Sequence, residues 1–335
     1  MDNGSPSGRV MRSAGDISAA WLSATLKCPV TQFTATTETS NWSSQIPIRV
    51  ELADGTTRAL RLKICRGNKF GRSEVDYYTR DYAGLEDAPL VHCWDAQFEP
   101  GIGYHVLLDD LSVSHHNRRD VTPNLEYGIA AAEALGRLHR HHWNSRPGPD
   151  ETALDRYFAE VRPGIEPMER VTGLALAERF AAHERKLRAR WRDPRGMSLL
   201  HGDINSMNVL TPKGAASPVY FLDRQPFDWS LTYGVAAYDL AYFLVLWWPK
   251  GLRRAHEAAI LRCWYDHLAQ KEYAWQQALA DWNLCVEQCL HVPLEWCSKA
   301  QTLEEMRGLW EMQLVRVRDA VQTAQGLEGG IRISG

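Results

Sequence analysis

The sequence predicts an α+β chain with a small antiparallel sheet first and a larger, mainly helical part after it. Short segments of alternating apolar residues crowd the region before residue 110, and two of them are joined by the turn Ala53-Asp54-Gly55-Thr56. From Asn124 onward, apolar residues recur at helical intervals instead. At 335 residues and 44% hydrophobic, the chain can bury a substantial core, and its length suits two domains.

The first dozen residues, Met1 to Arg12, are rich in Gly, Ser and Pro and read as a disordered tail, not a signal peptide. Ile17 to Leu26 has the apolar spacing of a helix. Strands are expected at Phe33–Thr37, Ile46–Leu52 and Arg58–Cys65, and Asp54-Gly55 between the last two is a hairpin signal. In the third strand Leu60, Leu62 and Ile64 share one face, which leaves Arg61 and Lys63 on the other. A helix begins near Ser73 and carries Glu74, Tyr77, Tyr78 and Tyr82, followed by strands at Val91–Phe98 and Tyr104–Leu108. Residues 1–110 thus form the tail and a sheet-based domain, and residues 111–335 a helical one, with the boundary near Asp109-Asp110-Leu111-Ser112. In the second, Ile129, Ala132, Leu135, Leu138 and Trp143 mark one helix, and Met306, Leu309, Trp310, Gln313, Leu314 and Val317 mark the last. His139, His141 and His142 read as a helix-end cluster.

Composition removes several classes of function. A net charge of -3 leaves no basic stripe for a nucleic acid or a polybasic membrane surface. The most apolar segment, Leu240 to Trp248, stops at Pro249 and is too short to span a bilayer, so no membrane role is expected. The seven cysteines show no disulfide framework. Cys285, Cys289 and Cys297 with His291 between them invite a zinc reading, but Cys285 and Cys289 lie one helical turn apart in an apolar stretch and read better as buried free thiols. A reducing, cytoplasmic location fits.

The densest chemistry lies in His201-Gly202-Asp203-Ile204-Asn205-Ser206-Met207-Asn208, followed by Phe221-Leu222-Asp223. Any one Asp or Asn in a loop is more often a turn former or helix cap than a ligand. Together, two apolar pieces carrying Asp203, Asn208 and Asp223 at fixed intervals match the needs of phosphoryl transfer. One carboxylate orients the attacking hydroxyl and accepts its proton, and an amide with a second carboxylate holds magnesium against the phosphates.

The string H-G-D-x-x-x-x-N with its downstream Asp resembles the H-R-D-x-x-x-x-N and D-F-G signatures of protein kinases. In its H-G-D form it resembles the aminoglycoside phosphotransferase family and its relatives, the choline, fructosamine and ecdysteroid kinases. Tyr238-Asp239-Leu240-Ala241-Tyr242-Phe243-Leu244 and Ala134-Leu135-Gly136-Arg137-Leu138-His139 resemble two further segments of that family, and Val106 to Leu111 resembles its hinge. The resemblance runs from about Asn41 to Trp296. It implies a bilobal protein-kinase-like fold, a small N-lobe and a larger helical C-lobe, with ATP or GTP as co-substrate and Mg2+. It implies Asp203 as catalytic base, Asn208 and Asp223 as metal ligands, Lys63 as the phosphate-binding lysine with Glu74 as its ion-pair partner, and Asp109 and Leu111 at the hinge. Ser40, Ser43 and Ser44 stand where these kinases keep a nucleotide loop; a plain polar hairpin loop reads the same way, since no G-x-G-x-x-G is present. The bland alternative for Lys63 is a solvent-facing charge on an edge strand, and Lys69 is the fallback lysine. Arg224-Gln225 departs from the aromatic residue that many relatives carry before Gln; Arg224 adds charge near the phosphates or pairs with Asp228. Asp239 is read as an anchor for the catalytic loop.

The acceptor is a hydroxylated small molecule, an antibiotic or a metabolite. Glu257, Asp266, Glu272, Asp281, Glu287 and Glu295 are nearly matched by Arg253, Arg254, Arg262, Lys271 and Lys299, so a polycationic ligand would find no acidic excess. The same region carries Trp247, Trp248, Trp264, Trp275, Trp282 and Trp296; most are expected in the core and some in the aromatic wall of a groove after Gly251, which points to a neutral or weakly charged, ringed acceptor. The competing reading is a nucleotide-binding pseudokinase acting as a regulatory module. A protein kinase is a third, but no A-P-E element follows Asp223.

Overall fold

The structure, a computed structural model, describes residues 8–39, 43–68, 70–117, 119, 121–145, 151–214, 218–224 and 229–330. Contacts divide the chain into two units, Met1–Asn117 with Leu210–Asp228, and Arg118–Val209 with Trp229–Gly335.

The first unit is built on an antiparallel sheet of β1 (Val30–Ala35), β2 (Glu38–Thr39), β3 (Ser44–Leu52), β4 (Thr57–Arg66), β5 (Cys93–Glu99) and β6 (Gly103–Asp109). The strand order is β1-β3-β4-β6-β5, with β2 paired to the start of β3. The β3–β4 hairpin pairs Glu51 with Thr57, and Asp54 Oδ1 accepts from the Thr56 amide at 2.8 Å inside the turn. Alternation then sorts the side chains. Ile46, Ile48 and Val50 of β3 and Leu60, Leu62 and Ile64 of β4 are buried against Trp21 and Leu22 of α1 (Ala19–Leu26). Lys63 and Cys65 face the other side, where Val75, Tyr104 and Val106 form a second apolar cluster. The helix expected at Ser73 is a single α-turn, α2 (Ser73–Asp76), that passes into a π-helical turn over Tyr77–Asp81.

Residues 111–117 and 210–228, which the sequence reading gave to the helical half, belong to this unit. The cause is pairing. β7 (His115–Asn117) lies antiparallel to the strand Val209–Pro212, and Phe221 bridges Leu90.

The second unit is helical: α3 (Leu125–His141), α4 (Thr152–Val161), α5 (Ile165–Thr172), α6 (Ala177–Trp191), α7 (Ala237–Ala241), α8 (Lys250–Leu268), α9 (Trp275–Gln288), α10 (His291–Cys297), α11 (Ala300–Glu305) and α12 (Arg307–Gly330). A short ladder of Met197–Leu199 with Tyr233–Val235 sits among them. Asn124 caps α3 by accepting from the Tyr127 amide at 3.0 Å. α3 and α8 approach closely because Gly136 has no side chain; a Cβ there would lie 2.6 Å from the His267 Cβ and 3.1 Å from the Trp264 carbonyl oxygen. Trp264, Trp282 and Trp310 are fully buried. The seven cysteines are free thiols, with Cys285, Cys289 and Cys297 buried; His291 turns to His183 and Tyr157, not to the cysteines. The architecture is the α+β one expected, with the sheet in the N-terminal region and helices dominating the C-terminal one. No helix among the described residues is long and apolar enough to cross a membrane.

Candidate active site

In the first unit the fold brings together three of the residues singled out in the sequence. Lys63 Nζ lies 2.8 Å from Glu74 Oε2 and 2.7 Å from Asp223 Oδ1. The alternation of β4 aims Lys63 at α2, which presents Glu74; Asp223 follows the strand Tyr220–Phe221 with φ at 56°. That left-handed conformation is uncommon outside glycine but best tolerated by Asp and Asn. Glu74 is buried, and its Oε2 also accepts from Tyr104 OH at 2.5 Å. Burial pushes the Glu74 carboxyl up to about 7, against the pull of Lys63. Burial alone would depress Lys63; the Asp223 and Glu74 carboxylates more than reverse this and hold its ammonium charged. Asp223 is different in kind, with its side chain 45% exposed against 3% for Glu74.

The remaining nucleotide-loop and hinge residues occupy mixed surroundings. Ser40 and the fallback Lys69 lie outside the described residues. Ser43 Oγ accepts from Gln45 Nε2 at 3.2 Å, and Ser44 opens β3 opposite Ile64. Asp109 Oδ1 accepts from Trp94 Nε1 at 2.7 Å, while the Leu111 carbonyl accepts from the His115 amide at 2.8 Å. Arg224 is buried in an ion pair with Asp81 at 2.6 Å, and Asp228, the partner weighed in the sequence, lies outside the described residues. A guanidinium taken out of water needs a carboxylate, and Asp81, itself buried, supplies one from the π-helical turn.

In the second unit the loop from His201 to Asn208 is held by Asp239, read in the sequence as its anchor, and by Tyr242 and Asn205, to which the sequence reading gave no role. Asp203 Oδ1 accepts from Tyr242 OH at 2.7 Å and Asn205 Nδ2 at 3.0 Å, and Oδ2 accepts from Asn208 Nδ2 at 2.8 Å. Asn205 Oδ1 in turn accepts from the Met207 amide at 2.8 Å, closing an Asx turn. With Nδ2 given to Asp203, Asn208 keeps its oxygen for a cation. Beneath the loop lies Asp239, fully buried. Its Oδ1 accepts from the Gly202 amide at 2.8 Å, and its Oδ2 accepts from the His201 amide at 2.7 Å and lies 3.0 Å from His139 Nε2. Trp264 Nε1 donates to His139 Nδ1 at 3.0 Å, so the proton of the neutral ring sits on Nε2 and points at Asp239. His139 is therefore a buried anchor, unlike His141 at the helix end, which is exposed. Burial would raise the Asp239 carboxyl, but the His139 ring, His201 and the Gly202 amide hold it below the usual carboxylate range. Gly202 carries φ at 82°, which presents two successive amides to one carboxylate. Tyr242 was legible as part of the same pattern, since it falls one helical turn after Asp239.

The tryptophans from Trp247 to Trp296 divide between core and cavity wall. Trp264 and Trp282 are core, and Trp275 packs beside Tyr265 and Arg262. The charges there pair among themselves, as in Arg253 with Glu257 and Asp319, or Arg190 with Asp281. Trp247 and Trp248, named in the sequence, border with Tyr127 and Phe243 a cavity of about 290 Å³ that also touches Ser206, so these walls come before Gly251 and not after it.

These features coincide with a family assignment. The model of the phosphotransferase enzyme family matches residues 92–279, more than half of the chain, and the chain belongs to that family. Among solved structures it is similar to Plasmodium vivax ethanolamine kinase, with 11% identity over 85% of this chain and 81% of that one and a TM-score of 0.57. It also matches an aminoglycoside-3'-phosphotransferase of type VIII, at 16% identity over 78% of this chain and 93% of that one, with a TM-score of 0.46. A third match is a thermostable mutant of aminoglycoside phosphotransferase APH(4)-Ia in ternary complex with ADP and hygromycin B, at 13% identity, coverage of 90% and 98%, and a TM-score of 0.48. The fold likeness rests on the first of these. No curated protein matches the chain.

Proposed function

We propose that this phosphotransferase is a small-molecule kinase that moves the terminal phosphate of ATP or GTP to an alcohol hydroxyl of a metabolite or antibiotic. The observation that carries the reading is the state of Asp203. Its carboxylate is only partly buried and is aimed by Tyr242, Asn205 and Asn208, on a loop pinned by Asp239. Such a group orients an acceptor hydroxyl and takes its proton late in the transfer. Lys63, steadied by Glu74, is the proposed partner of the nucleotide phosphates. The donor types suit magnesium, which takes hard oxygens: Asp223 offers a half-exposed anionic one and Asn208 a neutral one. Magnesium would supply charge neutralisation of the phosphates when bound. Ser43, Ser44, Asp109 and Leu111 are assigned to the nucleotide on the resemblance alone. The regulatory-module alternative is disfavoured because Lys63, Glu74, Asp203, Asn208 and Asp223 are all retained.

The test is nucleotide consumption across a panel of hydroxylated metabolites and antibiotics, with wild type and Asp203→Asn side by side. The variant should keep nucleotide binding and lose transfer by about a hundredfold or more, the scale of a positioned base. Wild-type turnover in Asp203→Asn would remove that residue from the mechanism.

A further inference from the structure

We infer that the cavity beside Ser206 takes a small, ringed acceptor bearing an anionic oxyacid group, and that Arg316 is the residue that selects for it; the inference rests on the phosphotransfer reading above. The cavity lies wholly within the second unit. Ser206 belongs to the loop that carries Asp203, three residues earlier, so a ligand in the cavity rests against the segment that holds the proposed base.

Three properties of the walls define the ligand. The first is shape. Tyr127 and Trp248 lie parallel, with ring planes 3° apart, and Phe243 meets Trp248 edge to face, giving a flat, rigid apolar lining. Such walls favour a ring over a flexible chain. The second is size. About 290 Å³ stands at the lower edge of small-molecule pockets, which admits one ring with its substituents more readily than a string of several sugars.

The third property is charge. Arg119 and Arg316 line the cavity, and none of its lining residues is Asp or Glu. Arg316 is the more telling of the two because it is half-buried. It donates to the Leu246 carbonyl at 2.7 Å, a neutral acceptor, and burial draws its pKa below the ordinary guanidinium value. Arg253 and Arg254, by contrast, both pair with Asp319. A half-buried guanidinium with no carboxylate partner among the described residues carries a cost that an incoming carboxylate or phosphate removes through a charge-assisted bond. An ammonium group in the same place adds repulsion and loses hydration without return. The neutral or weakly charged acceptor expected from the composition after Gly251 is thus narrowed to one with an anionic group.

The test uses the full-length protein without nucleotide and follows tryptophan fluorescence, since Trp247 and Trp248 line the cavity. The probes share one ring and one primary alcohol and differ only in charge: 4-(hydroxymethyl)benzoate, 4-(hydroxymethyl)phenyl phosphate, 4-(hydroxymethyl)benzamide and 4-(hydroxymethyl)benzylamine. At least one anion should bind about tenfold tighter than the amide, with the amine weakest, the scale of a charge-assisted hydrogen bond. Which anion binds better separates a carboxylate acceptor from a phosphorylated one. Arg316→Gln should bring anion and amide to near equality, and Arg316→Lys should keep their order. Because Arg316 also braces Leu246, the wild-type series decides by itself: binding of neither anion, or an amide or amine that matches them, overturns the inference. Nucleotide consumption with the same probes separates the two readings. Anion-selective binding without transfer to any acceptor counts against the kinase reading alone, and transfer confined to the amine counts against the anionic acceptor alone.

Discussion

Replacing Asp239 by Asn tests whether the loop around Asp203 is held in place by one buried carboxylate. Three donors converge on that group, the amides of His201 and Gly202 and Nε2 of His139, at 2.7, 2.8 and 3.0 Å. Asn has one oxygen where Asp has two. If it takes the Oδ2 position it keeps His201 and His139, and its NH₂ then faces the Gly202 N–H, donor against donor. One charge-assisted hydrogen bond is lost, worth about 1.5–3 kcal/mol, and a buried donor is left unmet at about 1–3 kcal/mol. The expected loss of stability is about 3–5 kcal/mol, a large share of the roughly 5–15 kcal/mol that holds a typical protein folded. Urea denaturation followed by tryptophan fluorescence measures it, since Trp264 and Trp282 lie in the same unit. A loss below about 1 kcal/mol would refute the reasoning, because it would mean that the three donors find other partners.

The pH dependence supplies an independent check. Asp239 titrates below its ordinary value in the folded chain, so its contribution is present above the unfolded-state value, about 3.9, and is lost as pH falls through the lower folded one. The difference between wild type and Asp239→Asn should therefore be constant from about pH 5 to 7 and shrink in stronger acid. Turnover should fall with stability, since the two amides fix the backbone on which Asp203 stands.

Asp223→Ala should abolish magnesium-dependent nucleotide binding, because it removes an anionic oxygen and leaves phosphate charge uncompensated; Asn208→Ala should be milder. Calorimetric titration with and without magnesium reads both, and equal binding by wild type and Asp223→Ala would sink that assignment. Gly136→Ala should cost about 1–3 kcal/mol, because the new Cβ would lie 2.6 Å from the His267 Cβ and α3 and α8 would have to part. Thermal denaturation checks this, and an unchanged midpoint would show that the contact relaxes freely.

What was legible in the sequence is what local geometry dictates. The period of two in β4 fixed the face of Lys63 before any partner was known, and α2 follows closely enough for Glu74 to be named with it. The spacing of Asp203 from Asn208 likewise set their contact within one loop. The misreadings come from partners far apart in sequence. For Arg224 the sequence offered the phosphates or Asp228, and it did not offer the buried Asp81 with which Arg224 pairs, because nothing in the local sequence marks that pairing. Tryptophan spacing showed helices, and most of these rings were expected in the core, but spacing does not tell core from wall: Trp264 and Trp282 are core, whereas Trp247 and Trp248 line the cavity. The cavity walls come instead from Tyr127, Phe243 and Trp248, joined with Arg316 of the last helix. A surface assembled from three distant segments has no signature in any one of them.

Burial sorts the site's carboxylates into two kinds. Asp239 and Glu74 are enclosed: Asp239 gives both oxygens to two amides and an imidazole, whereas Glu74 gives Oε2 to Lys63 and Tyr104 and its buried Oε1 meets no donor among the described residues. The dehydration of Asp239 has already been met by donors within the fold, so no ligand can gain much from it. Asp203 and Asp223 keep water access while neighbouring donors fix their orientation. A carboxylate that is aimed yet still hydrated can exchange water for a hydroxyl or a cation at little cost in reorganisation, which is the condition for electrostatic catalysis. The two kinds should separate in mutagenesis: substitutions at Asp239 and Glu74 lower stability and turnover together, whereas those at Asp203 and Asp223 lower turnover or nucleotide binding in a protein that unfolds much as the wild type does.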